Sequence, residues 1–185
     1  MDKTHRLERR RVFLIENLPE PLKPSDRHLQ IFDNYLENTR LRLRSARAPE
    51  TKIWTFILQQ RLTIAGDAAT RQIAEIYLNE AEHRVFEIFE GREIRKNERA
   101  ETNEIRKNRY FYDFGGRRFE IDIFLGNLRG LNLAHTVFAS RAEAENFEMP
   151  PFAVAEVTDN PFFAGENLVG RNFAEVRAEF ARMEK

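Results

Sequence analysis

Residues 39–47 read TRLRLRSAR, and from Arg40 to Arg44 basic and apolar side chains alternate. In a β-strand alternate side chains lie on the same face, so Arg42 and Arg44 project to one side while Leu41 and Leu43 project to the other. This alternation predicts a strand with one cationic and one apolar face. Such a face is typical of a solvated sheet surface, or of a site that holds an anion between the charges.

Two other predicted strands carry cations in the same way. Lys107 and Arg109 alternate in the stretch IRKNRYF. The strand at residues 6–15 presents a cation on either of its possible faces, because Arg9 and Arg10 point in opposite directions. Like charges opposite one another on neighbouring strands destabilise a sheet. Phosphate between them would relieve the repulsion, since guanidinium groups bind phosphate oxygens through paired hydrogen bonds.

Carboxylates lie on some of the same predicted strands. Glu75 follows Arg71 by four residues, and Glu120 alternates with Asp122. Carboxylates beside a polyphosphate commonly hold Mg²⁺ or Mn²⁺, because these hard cations prefer oxygen ligands and bridge to phosphates. Ordinary salt bridges are the alternative interpretation of each acid.

Eight or nine segments carry strand signals, and Gly115 with Gly116 predicts the turn of a hairpin. Short helices are predicted after Asn79, Ser140 and Asn172, each of which has Glu three residues later. We therefore expect an α+β fold. Its centre is an antiparallel closed or nearly closed β-barrel of about eight strands, which forms a charged tunnel with helices packed outside. Residues 1–185 are expected to form a single domain.

Composition excludes several functions. The 185 residues include 30 Lys or Arg, 30 Asp or Glu and no Cys. Balanced charge does not favour a nucleic-acid surface, and a chain without Cys has neither disulfides nor thiolate chemistry. The sequence also lacks the common glycine-rich phosphate loops. An apolar run of ~20 residues and a signal-peptide core are both missing, which predicts a cytoplasmic protein without a membrane span.

The ordered set of motifs resembles the CYTH family, also called the triphosphate tunnel metalloenzymes. The chain shows LERRRVFLI, RLRLR, AEIYLNEAEHRVF, IRKNRYFYDFGGRRFEIDIF, GLNLAHTVFASRAEAENFEMP and EVTDNPFF in the family's order. The resemblance covers nearly the whole chain. It implies a tunnel that binds triphosphate compounds together with a divalent metal, Mg²⁺ or Mn²⁺.

The resemblance also implies residue roles, position by position. Five cations match the family's phosphate-binding side chains: Arg10, Arg42, Arg44, Lys107 and Arg109. Three carboxylates match its metal-binding acids: Glu8, Glu75 and Asp122. Catalytic residues stay unassigned. Either Glu8 or Arg9 faces the barrel interior. Which of the two does so depends on the register of this strand, and the sequence leaves the register open.

This sequence departs from the family pattern where acids are expected, and a Gln at position 59 or 60 stands where a Lys is expected. The replaced acids fall at Arg6, Ile73, His135 and Val137. Two hypotheses follow. The chain is a metal-dependent triphosphatase with an altered site, or it is a catalytically impaired module that binds a polyphosphate or a nucleotide. The phosphate-binding cations are better retained than the acids, which favours anion binding. The ligand, the oligomeric state and the survival of catalysis stay open.

Overall fold

The structure, a computed structural model, describes residues 5–96 and 99–183, with side chains described except at positions 5 and 94–101. The described strands are β1 (His5–Ile15), β2 (His28–Tyr35), β3 (Leu41–Ala48), β4 (Ile53–Ile64), β5 (Asp67–Leu78), β6 (Glu93–Lys96), β7 (Arg99–Thr102), β8 (Glu104–Phe114), β9 (Arg117–Phe124), β10 (Asn132–Phe138) and β11 (Ala153–Glu156). The described α-helices are α1 (Glu80–Phe86), α2 (Arg141–Glu145), α3 (Gly165–Leu168) and α4 (Phe173–Met183).

Eight of these strands form a closed antiparallel barrel. The order around the ring is β1, β5, β4, β3, β2, β8, β9 and β10, and β10 pairs with β1 to close it. β1 closes the barrel because its first half pairs with β5 and its second half pairs with β10. The short strand β11 joins β1 outside the ring. The predicted fold class is therefore confirmed, and the closed ring pairs the strand edges that an open sheet would expose.

Apolar side chains fill one end of the barrel and cover part of its outside. At the end, Leu133 and Phe124 from the barrel interior pack with Leu168 of α3 and Val176 of α4. Outside, a Phe-rich cluster around Phe13 packs on β1, β8, β9 and β10. Each buried Phe or Leu side chain contributes roughly 1.5–3 kcal/mol to folding. The C-terminal elements therefore fix one end of the tunnel.

The predicted helix starts are confirmed. Asn79 and Glu82 form a reciprocal capping box at α1, Ser140 caps α2, and the Asn172 side chain accepts from the backbone N–H of Glu175 before α4. The hairpin of β6 and β7 was not predicted from the sequence, because its charged residues show no apolar alternation. Within the described ranges, no helix is long and apolar enough to cross a membrane.

Substitution of Gly130 tests the close packing of Phe173 of α4 against the loop that contains this glycine. Its φ is +110°, and a Cβ there would lie 2.7 Å from Cζ of Phe173, whereas Gly126 at φ +64° has open space around it. We expect Gly130→Ala to lower the free energy of unfolding by roughly 3 kcal/mol, through backbone strain and overpacking.

The matched control is Gly126→Ala, which should cost only the backbone strain of about 1 kcal/mol. Urea denaturation measures both variants. Equal stabilities for the two variants would contradict the described packing of Phe173.

Candidate functional site: a cation-lined tunnel

The predicted site residues all project into the barrel. Six of them line a first cavity of about 170 Å³: Arg10, Arg42, Arg44, Lys107, Arg109 and Asp122. Glu8 and Glu75 line a second cavity of about 350 Å³ at the other end of the tunnel. Arg44, Gln59, Arg61, Arg109 and His135 line both cavities. The structure thus settles the register of β1, in which Glu8 and Arg10 face the interior.

The first cavity is strongly cationic. Its lining holds eight cationic side chains: Arg10, Arg40, Arg42, Arg44, Arg61, Arg71, Lys107 and Arg109. The lining holds three carboxylates: Asp33, Asp122 and Glu166. Eight against three gives a net charge of +5. In a region of low dielectric such an excess is costly unless an anion offsets it.

Asp33 neutralises one side of the tunnel. It is 1% exposed, and its carboxylate accepts two hydrogen bonds from Arg44, at 2.6 and 2.8 Å. Arg42 donates to it at 3.2 Å, and Nζ of Lys107 lies 3.5 Å away. Burial by itself would raise the pKa of Asp33, but the charges of these partners outweigh burial and hold the pKa well below its usual value.

Asp122 plays the same part on β9. Arg109 donates to both of its oxygens, at 2.6 and 2.7 Å, and Nζ of Lys107 lies 2.8 Å from Oδ2. Lys107 therefore bridges the two buried carboxylates. Burial lowers the pKa of Lys107 to about 8, although Asp122 and Asp33 oppose that shift.

The opposite wall lacks such compensation. The Nε atoms of Arg10, Arg61 and Arg71 are buried and have no hydrogen-bond partner among the described residues. The nearest carboxylate described for Arg61 is Glu8, at 3.9 Å. Burial and then the charges of Arg42 and Arg10 lower the pKa of Arg61 well below its usual value. Burial and the charge of Arg71 lower that of Arg10 to about 10. These guanidinium groups are where an anion would gain most.

The donor set does not fit a divalent metal. Glu8 and Glu75 lie 3.5 and 3.4 Å from Arg6, and Asp122 is held by Arg109 and Lys107. Within the part of the chain that the structure describes, no group of three His, Asp or Glu side chains is placed to hold a metal ion. Each candidate ligand already neutralises a cation, so a metal would have to displace that ion pair.

Sequence reasoning missed three important interior residues. Asp33 stands beside Ile31 and Phe32, so the alternation in β2 is obscured. Arg61 lies two positions after Gln59, which the structure places inside the tunnel, while Gln60 belongs to the other face. Extending the alternation of β4 by two residues would have found Arg61. The sequence analysis identified His135 only as the replacement of an expected acid, although it lines both cavities.

The barrel and its interior define a class of protein, an antiparallel tunnel whose wall is cationic. Comparison with solved structures identifies proteins that have a similar fold. A structure described as the inorganic triphosphatase NE1496 is 23% identical, matches over 88% of this chain and 93% of that one, and has a TM-score of 0.54. Another, described as hypothetical protein NE1496, is 24% identical over 89% and 99%, with a TM-score of 0.55. The chain therefore shares the tunnel-barrel fold of these structures, as its motifs predicted.

A third structure is described as the putative adenylyl cyclase HpAC1 from Hippeastrum with a dominant triphosphatase activity. It is 13% identical, with 75% of this chain and 82% of that one covered and a TM-score of 0.44. No family model matches the sequence, and no curated protein matches it either.

Asp33→Asn tests whether interior carboxylates hold the tunnel cations in place. The change keeps the shape but leaves Arg42, Arg44 and Lys107 short of one negative charge. We expect the free energy of unfolding to fall by about 3–5 kcal/mol, because this is the cost of removing one partner of a buried ion pair.

The control is Asp113→Asn, because Asp113 also forms paired hydrogen bonds with an arginine, Arg118, but in an ion pair that is exposed to solvent. Urea denaturation at pH 7 should show little change for it, since exposed ion pairs contribute little. If both variants lose the same small amount of stability, the interior pairing is weaker than described.

Proposed function

We propose that the tunnel binds a triphosphate-bearing anion, inorganic triphosphate or an organic triphosphate, through its interior guanidinium and ammonium groups. One observation carries this proposal. Arg10, Arg61 and Arg71 line a cavity of net charge +5, and their Nε atoms have no hydrogen-bond partner among the described residues. Phosphate oxygens are the natural partners of such donors, because they accept charge-assisted hydrogen bonds from guanidinium forks.

The five cations that resemble the family's phosphate-binding residues divide into two roles. Arg42, Arg44, Lys107 and Arg109 are partly neutralised by Asp33 and Asp122, so they set the shape and charge of one wall. Arg10 keeps more of its binding capacity, because its Nε is buried and without a hydrogen-bond partner. A bound triphosphate would lie between the two walls and offset the charge of both.

A bound metal ion is not needed in this account. The expectation of Mg²⁺ or Mn²⁺ came from the family resemblance, and the interior carboxylates that would hold the ion are engaged by cations instead. Arg61 and Arg71 would offset phosphate charge in place of the metal. The solved structure described as an inorganic triphosphatase supports a triphosphate as the ligand class, since it shares the fold.

Isothermal titration of inorganic triphosphate in buffer with EDTA tests the proposal. We expect binding by the wild-type protein, and we expect Arg61→Gln to weaken it about 10- to 100-fold, because a hydrogen bond to a charged group contributes about 1.5–3 kcal/mol.

The control is Arg141→Gln, since Arg141 carries the same charge at an exposed position on α2, and the affinity of this variant should equal that of the wild type. Two results would contradict the proposal: an affinity for triphosphate unchanged by Arg61→Gln, or wild-type binding that requires Mg²⁺.

A further inference from the structure

His135 occupies a chemically distinctive place in the tunnel. It lies on β10 directly opposite Glu120 of β9, and it is 7% exposed. Its ring lines both cavities, so it stands where the two ends of the tunnel meet. A buried imidazole between two water-accessible spaces is well placed to act on a molecule inside the tunnel.

Glu120 sets the orientation of that imidazole. Nε2 of His135 lies 2.8 Å from Oε2 of Glu120, and Glu120 is itself held by a short ion pair with Arg109. The guanidinium of Arg109 pairs with the Glu120 carboxylate, which is therefore ionised. An ionised carboxylate only accepts, and Nε2 of the neutral ring therefore carries the proton.

The other ring nitrogen is then a base. Nδ1 keeps its lone pair, and the structure describes no hydrogen bond to it from residues 5–96 or 99–183. Burial lowers the pKa of His135, against the opposing effect of Glu120, so the ring is neutral at pH 7 and able to accept a proton. The same carboxylate–imidazole arrangement fixes ring orientation in many hydrolytic sites.

The base lies next to the proposed anion site. Arg109 contacts Glu120 through Nη1 and Asp122 through Nε, and it lines the first cavity together with Arg61. A triphosphate held by the unpaired guanidinium groups would therefore occupy the cavity that His135 lines.

We propose that His135, positioned by Glu120, is the general base of a triphosphate hydrolysis that proceeds without a bound metal ion. This inference rests on the proposed function. Nδ1 takes a proton from a water molecule as the water oxygen bonds to the terminal phosphorus. The bond from that phosphorus to the bridging oxygen breaks, and its electron pair leaves with diphosphate. Orthophosphate and diphosphate are the products, and the ring returns its proton to solvent.

The tunnel cations supply the electrostatic part of this reaction. Charge on the phosphoryl oxygens is stabilised by fixed donors, which is the larger share of catalysis in phosphoryl transfer. Arg10, Arg61 and Arg71 supply those donors. At position 135 the acid expected from the family resemblance is thus replaced by a residue that transfers a proton. The carboxylates of this site neutralise arginines, so the imidazole takes the role of base.

The test is phosphate release from inorganic triphosphate in EDTA, with isothermal titration on the same samples. We expect release by the wild type and a fall in kcat of about 10²- to 10⁴-fold in His135→Gln, with binding within threefold of wild type. His28→Gln is the matched control, because His28 lies on the outer face of β2 beside Tyr110. Its kcat should match the wild type.

Two further variants separate proton transfer from a structural role. Added imidazole should restore part of the release in His135→Ala, and Glu120→Gln should lower kcat more than it changes KM. A His135→Ala rate that stays constant with imidazole would contradict the general base. Wild-type protein that binds triphosphate without releasing phosphate in EDTA would overturn this inference alone, whereas absence of binding would overturn the proposed function.

Discussion

Mutual repulsion among buried guanidinium groups is the constraint on which the rest of this structure depends. A closed barrel turns one face of every strand inward, so the alternating cations of β1, β3, β4 and β8 are collected in one narrow space. Like charges at such distances are tolerated only if carboxylates or a bound anion lie between them. Asp33 and Asp122 are the carboxylates that neutralise cations on one side of the tunnel, where Lys107 bridges them.

The other side of the tunnel has cations without such compensation. Arg10, Arg61 and Arg71 face the same cavity with buried donors that the described residues do not satisfy. A hydrogen bond to a charged group contributes about 1.5–3 kcal/mol, so an anion that accepts from these groups would be favoured at this wall. This division also explains why the carboxylates are poor metal ligands here. Asp122 neutralises cations of the wall that shapes the site, and Glu8 and Glu75 lie within 3.5 Å of Arg6.

Much of this arrangement could be predicted from alternation within single strands. The stretch that contains Arg42 and Arg44, and the one that contains Lys107 and Arg109, each place two cations on one face, and the structure turns both faces inward. The part that could not be predicted depends on pairing between strands distant in sequence. Asp33 is important because β2 lies between β3 and β8, and His135 because its partner Glu120 lies across the β9–β10 pair. The inward face of β1 likewise required its register with β5.

We propose that a triphosphate binds inside the tunnel against the wall formed by Arg10, Arg61 and Arg71. A crystal structure of the protein grown with inorganic triphosphate in the presence of EDTA tests it most directly. We expect three linked phosphate groups in the first cavity, with phosphate oxygens within hydrogen-bond distance of Arg10, Arg61 and Arg71. Triphosphate bound outside the barrel, or held in the tunnel only through a metal ion on Glu8, Glu75 or Asp122, would contradict it.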